Sequence, residues 1–426
     1  MSVIKFFPVY LIILMPIFAN VIGGSGASQF LINSVIFILI FFYLGHRKID
    51  FFKDFHLLFF LYIASFFFIL LSSIIYEAPL ARTLSDAGRL ALFALFLHCG
   101  FHYQKHFKLD LEHLSEIIIK LGIVSIAFSS LVYFDFFHVF IDFFKGRQST
   151  EEYLFHFYRF SGFHGYPTDF SVFLNFCILL TYFKYERGEF SFKKTIILII
   201  LFILGIVLSF ARGGMLQLAL LIFLIFLLSP IINFLKAYPL DRQLRFKYGA
   251  FFSITLLSIS LFFIFINFNY FENDYLSYIF SVFSSDIDSS IAHRFNELQL
   301  VQNVLINGEL VPLGQERLTP FGMDTIEGLF SHYVLRYGWA GLILILTLYI
   351  VKLSYLYLKK ENNSLAFSLF WWFTSFIIIL APFSDVSTRL KGLSFYSFLL
   401  GVALFQISEN SQKWYQKFDS SLPNKR

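Results

Sequence analysis

The sequence predicts an all-α integral membrane protein of about twelve transmembrane helices, with a large extracytoplasmic loop between spans nine and ten. Three observations carry this expectation. Of 426 residues, 58% are hydrophobic and only 14% are charged, with a mean hydropathy of +0.71, whereas a soluble domain carries roughly 25% charged residues. Apolar runs recur at lengths close to the roughly 20 residues that a helix needs to cross hydrocarbon. The basic residues between those runs are dense and sparse in alternation. The chain therefore reads as one polytopic domain over residues 1–426.

The runs follow in order. Phe6 to Ile22 and Ser28 to Leu44 are the first two, separated by Gly-Gly-Ser-Gly-Ala-Ser, and the first reads as an uncleaved helix because further spans follow. The others lie at 55–76, 84–101, 114–138, 168–183, 195–211, 215–235, 248–268, 332–356, 365–381 and 390–407. An even number places both termini on one side. That side carries 21 of the 33 Lys and Arg residues and the other side 10, with Arg89 and Lys120 inside spans. Basic loops stay cytoplasmic, so both termini are expected in the cytoplasm. Two long segments then face outward, 139–167 and 269–331. Within the second, Ile291, Phe295, Leu298, Val301, Gln302 and Leu305 recur at helical spacing, which predicts an amphipathic cap over Ile291 to Ile306.

Several function classes are excluded or weakened by composition. The two cysteines, Cys99 and Cys177, both fall in apolar runs, which rules out a disulfide framework or a cysteine-rich metal site. No phosphate-binding glycine loop or dinucleotide fingerprint occurs, and no basic cluster is interleaved with base-stacking positions, so nucleic acid is not an expected partner. Asp286 and Asp288 sit in a serine-rich loop and read as a solvated turn. His98, His102 and His106 share a helix face at four-residue spacing, but no carboxylate set completes a metal site beside them.

The outer basic residues are more informative. The cytoplasmic set comprises 16 Lys and 5 Arg, whereas the outer set comprises 8 Arg and 2 Lys. Those arginines are Arg82, Arg147, Arg159, Arg212, Arg294, Arg317, Arg336 and Arg389. Snorkelling to headgroups would be served equally by lysine, whereas arginine alone offers a planar fork that holds phosphate through two parallel bonds. An anionic, phosphate-bearing ligand is implied; pairing with Glu77, Asp86, Asp169, Glu297 or Asp385 is the competing explanation. The turn Ser209-Phe210-Ala211-Arg212-Gly213-Gly214 places an arginine between two apolar runs, where a charge is costly unless it meets a partner or a cavity. The glycines there read as its hinge. In Ser331 to Gly341, His332 and Arg336 stand four residues apart and so share a helix face, while Gly338 and Gly341 would let a neighbouring helix pack closely.

These segments, taken in order, resemble a known family. Arg159-Phe160-Ser161-Gly162-Phe163 with Tyr166-Pro167-Thr168, then Ser209 to Gly214, then Arg294 with Gly308 to Gly314, then Ser331 to Gly341, are similar to the Wzy-type O-antigen and capsule repeat-unit polymerases and the related O-antigen ligases. The likeness covers about 155 to 345. It implies a glycosyltransferase of the bacterial plasma (inner) membrane, acting in lipopolysaccharide or capsule biosynthesis. Such an enzyme transfers a growing glycan from undecaprenyl diphosphate to the next lipid-linked repeat unit in the outer leaflet. Undecaprenyl-diphosphate-linked oligosaccharide and membrane lipids are the implied partners, with a chain-length regulator and a flippase beside them, and no cofactor or metal. Arg159, Arg212 and Arg294 match the diphosphate-binding arginines. His332 and Arg336 are the catalytic candidates, with Gly213, Gly214, Gly338 and Gly341 in support, and Glu327 and Asp324 stand as substitute bases. His332 is followed by Tyr333 and lies close to Gly338, which departs from the ligase pattern and favours polymerisation. The alternatives are a ligase and a lipid-linked oligosaccharide flippase or other transporter. A transporter would usually show repeated halves, and here the halves are unalike.

The charge map makes a direct prediction about sidedness. A membrane-impermeant thiol reagent added from outside should label Ser285→Cys and leave Ser191→Cys unlabelled, and the reverse pattern would overturn the map.

Overall fold

The computed structural model describes residues 7–8, 10–12, 26–46, 56–75, 80–133, 153–154, 157–158, 160–164, 167–228, 289–307, 328–357, 363–380 and 392–405. Among these the fold is all-α apart from one two-residue hairpin pair, Tyr153–Leu154 against Phe157–Tyr158. The helices are α1 Gly26–His46, α2 Leu57–Ile75, α3 Leu80–Phe107 and α4 Leu111–Tyr133. Next come α5 Pro167–Glu186, α6 Phe192–Leu208, α7 Arg212–Ile222 and α8 Ser289–Ile306. The last three are α9 Leu329–Tyr357, α10 Ser364–Ser375 and α11 Gly392–Phe405. Wide π-helical turns extend α7 over Phe223–Leu228 and α10 over Phe376–Leu380. The amphipathic stretch expected from Ile291 is helical as α8. Three helices, α2, α4 over Leu111–Leu131 and α9, are long and apolar enough to cross a membrane. The expected span at 248–268, most of the expected span at 6–22 and most of the segments 139–167 and 269–331 lie outside the described residues.

Local chemistry sets the helix ends. At the α3–α4 turn, Lys108 takes the left-handed conformation (φ 45°), and its N–H donates to the Gln104 carbonyl at 2.9 Å. The buried Gln104 amide then brackets Leu109, donating to its carbonyl at 3.0 Å and accepting from its N–H at 3.1 Å. Asp110 caps α4 by accepting from the Glu112 N–H at 3.0 Å. Ser191 and Asn363 cap α6 and α10 in the same way.

Helix α5 is the centre of the bundle. Every residue from Asp169 to Cys177 is buried, the pattern of a helix surrounded on all sides. Its neighbours are α4, α6, α7 and α10. Polar groups of α5 bond across to neighbouring helices. Asn175 Nδ2 donates to the Gly214 carbonyl at 2.9 Å and to Gln217 Oε1 at 3.0 Å, and Gln217 Nε2 passes the chain to Ser375 Oγ at 3.0 Å. Trp372 Nε1 donates to the Val172 carbonyl at 3.1 Å. Outward-facing Leu31, Phe42, Leu71, Ile74 and Ile350 leave large apolar side chains uncovered, a surface suited to lipid rather than water.

Contacts sort the helix ends into two groups. At one end, Ser115 near the start of α4 meets Ser364 at the start of α10 at 3.0 Å. There too the fully buried Lys184 donates to Glu189 at 2.6 Å and lies 3.3 Å from Glu112, which also holds Arg187 at 3.1 Å. At the other end, the Phe160 N–H donates to the Leu208 carbonyl at 3.0 Å, and the start of α3 meets the start of α9. Lys352, one of the 21 basic residues assigned to the cytoplasmic side, is 1% exposed. Its ammonium lies 4.0, 4.3, 4.8 and 5.7 Å from the ring centroids of Tyr349, Phe373, Phe93 and Tyr62, so cation–π attraction from four rings holds it inside the bundle.

Glycines allow the closest helix crossing. A side chain at Gly100 of α3 would collide with the Phe398 carbonyl of α11, and one at Gly401 with the Leu97 carbonyl. Backbone cannot yield as a flexible side chain does, so Gly401→Leu is expected to force α3 and α11 apart and cost about 1–3 kcal/mol. Gly45 of α1 has nothing within 4 Å of the added carbon, and Gly45→Ala should hold or gain stability, by up to about 1 kcal/mol from helix propensity. Thermal unfolding of the detergent-purified protein checks both. Equal melting temperatures for the two variants would contradict the crossing.

Candidate active site

The site is built on the first two turns of α9. His332 and Arg336, four residues apart, meet on one face, with Arg336 Nη1 3.3 Å from His332 Nε2. Between them stands Asp86 from the second turn of α3, whose side chain is 5% exposed. Its Oδ2 accepts from Arg336 Nη1, and its Oδ1 lies 3.1 Å from His332 Nε2. A carboxylate buried this deeply needs a compensating charge, and Arg336 supplies it. The Asp86–Arg336 pair has no net charge, so the cluster itself is poorly suited to hold a diphosphate. Phosphate-binding cations would have to come from elsewhere.

Arg294 and Arg212 fall in two different places. Arg294 stands on α8, three residues before Glu297. That buried carboxylate accepts from the Gly328 N–H at 2.9 Å, immediately ahead of α9, where a negative charge suits the positive end of the helix. A second bond, from Trp339 Nε1 to the Leu305 carbonyl at 3.0 Å, docks the other end of α8 on α9. The helix carrying Arg294 is thus fastened to the helix carrying His332 and Arg336. Arg212 is the first residue of α7, and Phe160, beside Arg159, is bonded to Leu208 just before the α6–α7 turn, so those two segments meet each other. Arg159 lies outside the described residues, as do the side chains of Arg212 and Arg294.

Two expectations about glycine need correction. The α6–α7 turn hinges on Phe210, not on the glycines: Phe210 has φ 51°, and Ser209 Oγ braces the turn by donating to the Ile206 carbonyl at 2.6 Å and accepting from the Ala211 N–H at 3.3 Å. Gly213 and Gly214 lie inside α7, and Gly214 lacks a side chain because Ser171 of α5 fills that space. In α9, Gly338 breaks the helix with φ 59° and ψ −144°, a conformation essentially confined to glycine. The break folds the first turns back, so a side chain on Gly341 would meet the Tyr333 carbonyl and Tyr337 of the same element. Gly338 therefore sets the angle at which His332 and Arg336 are presented, and the crowding that Gly341 relieves is within α9.

Sequence reasoning named Asp86 only among carboxylates able to pair with outer arginines and gave it no place in the site. The usable signal was an acid inside an apolar span, which is costly without a function or a partner. The histidines of α3 form a separate group at the far end of that helix: the rings of His98 and His102 are 4.3 Å apart and those of His102 and His106 6.3 Å. Asp286, Asp288, Asp324 and Glu327 lie outside the described residues. No protein-family model and no curated protein matches this chain.

Gly338→Ala tests the presentation angle. Forcing a side chain into that backbone region costs about 1–3 kcal/mol, so the melting temperature should fall. Gly188→Ala is the control for a positive φ (75°) at an uncrowded turn remote from the site, where the same kind of strain should lower stability but leave function alone. If Gly338→Ala melts like the wild type, the break is not fixed by glycine.

Proposed function

We propose that this chain is a multi-pass glycosyltransferase of the bacterial plasma membrane, with about twelve spans and both termini cytoplasmic. On this reading it polymerises lipid-linked oligosaccharide repeat units. The growing glycan leaves undecaprenyl diphosphate and joins a hydroxyl of the next lipid-linked unit at the outer face. The observation that carries the reading is the buried meeting of His332, Arg336 and Asp86 in an apolar helical bundle, with α8 and its Arg294 fastened beside it. A costly polar cluster at a helix entry is the signature of a working site in a membrane.

The chemistry needs little else. A diphosphate is a good leaving group, so transfer requires neither nucleotide nor ATP. The bond between the anomeric carbon and the phosphate oxygen breaks, a bond from that carbon to the acceptor oxygen forms, and the departing electron pair stays on the diphosphate. Arg159, Arg212 and Arg294 would stabilise that charge, which suits the electrical neutrality of the Asp86–Arg336 pair. His332 would take the proton of the acceptor hydroxyl, a step worth about 10²- to 10⁴-fold.

Purified protein given a lipid-diphosphate oligosaccharide and no nucleotide should yield a ladder of glycan products. Translocation without a ladder would favour a transporter. His332→Ala should slow the ladder by two to four orders of magnitude. Loss of a hydrogen bond alone, about 0.5–1.5 kcal/mol, would slow it roughly tenfold at most, and that outcome would remove His332 as the base. Arg212→Lys and Arg294→Lys, which keep the charge and lose the fork, should each cut polymer formation strongly at normal expression. Full-length polymer from both would end the phosphate-binding assignment.

A further inference from the structure

We infer that Asp86 is a positioning residue that fixes the tautomer of His332, holding its proton on Nε2 and leaving Nδ1 as the nitrogen that receives the proton of the acceptor hydroxyl. The proton's source rests on the glycosyl-transfer reading above, and the tautomer does not. An ionised carboxylate only accepts hydrogen bonds, and a guanidinium only donates them. His332 Nε2 is near both, 3.1 Å from Asp86 Oδ1 and 3.3 Å from Arg336 Nη1. Arg336 Nη1 carries two N–H groups, one of which goes to Asp86 Oδ2. Were Nε2 unprotonated, its lone pair would face the carboxylate oxygen at the shorter of the two distances, lone pair against lone pair. A proton on Nε2 turns that contact into a hydrogen bond.

The consequence is a division of labour within the cluster. Arg336 compensates the Asp86 charge and holds its Oδ2, Asp86 orients the imidazole through Oδ1, and the Nδ1 lone pair is directed away from the ion pair. When Nδ1 takes the acceptor proton, the imidazolium lies against a carboxylate that is already in place to stabilise it. His332 later returns that proton to water, and Asp86 stays ionised throughout.

Asp86→Asn separates orientation from mere packing. With Arg336 still donating to the one remaining oxygen, the amide NH₂ is set against Nε2, so Nε2 becomes the acceptor and the proton moves to Nδ1. Nitrogen-15 histidine spectra of the full chain in detergent, with the His332 signal assigned by its loss in His332→Gln, read the tautomer directly at a pH where the ring is neutral. The wild type should show the Nε2–H form and Asp86→Asn the Nδ1–H form. In the polymerisation assay Asp86→Asn should lose roughly 10²- to 10⁴-fold in kcat at unchanged KM, and Asp86→Glu should recover part of the loss. A wild-type Nδ1–H tautomer overturns the inference without any variant having to fold, and so does an Asp86→Asn protein that keeps full kcat. An Nε2–H wild type that makes no polymer would uphold the placement of Asp86 and defeat the glycosyl-transfer reading instead.

Discussion

A polar side chain inside an apolar helical bundle has no water to turn to, so it is kept only where the fold provides a partner. That constraint organises this structure. Asn175, Gln217 and Ser375 link α5, α7 and α10 through a relay of amide and hydroxyl bonds. Lys184 is satisfied by three glutamates, two on α4 and one in the α5–α6 turn, and Lys352 by four aromatic rings. Asp86 binds both His332 and Arg336. Each arrangement ties together elements far apart in sequence, and together they specify which helix faces which far more sharply than the phenylalanine-rich packing around them.

The four arrangements differ in what they make available. The α5 relay is neutral. The Lys184 cluster lies at the opposite end of the bundle from Asp86, since α3 runs from Asp86 to Phe107, roughly 30 Å at the helical rise. The Lys352 cage places a cation among rings and, among the described residues, pairs it with no acid. Only the α9 cluster joins a titratable base, a cation and a carboxylate at a helix entry, with α8 docked over it by Glu297 and Trp339. That combination makes it the site of choice for proton-transfer chemistry.

Much of this was legible in the sequence, and the remainder was not for identifiable reasons. Apolar run length locates the helices: α2 at 57–75 and α9 at 329–357 fall within a few residues of the expected 55–76 and 332–356, because a buried helix advertises itself by composition. The four-residue spacing of His332 and Arg336 places them on one face correctly, since local periodicity is a short-range property. Asp86 was not readable as their partner, because 246 positions separate it from His332 and a single sequence carries no trace of that contact. Glycine misled for another reason. Gly213-Gly214 looks like a hinge, yet the left-handed residue is Phe210, whose strained conformation is imposed by Ser209 and by the packing of α6 and α7. Lys352, placed near the end of a run, looked like a loop charge because sequence position cannot distinguish a snorkelling ammonium from a caged one.

The account turns on whether the α9 cluster exists for chemistry or for architecture, and replacing it whole decides that. Buried ionic groups exchanged together for apolar residues of similar size are often neutral or stabilising to a fold. The triple variant Asp86→Leu, His332→Phe, Arg336→Met should therefore melt at or above the wild-type temperature while producing no glycan from a lipid-diphosphate donor. A triple variant that folds and still extends the glycan at the wild-type rate would contradict the account.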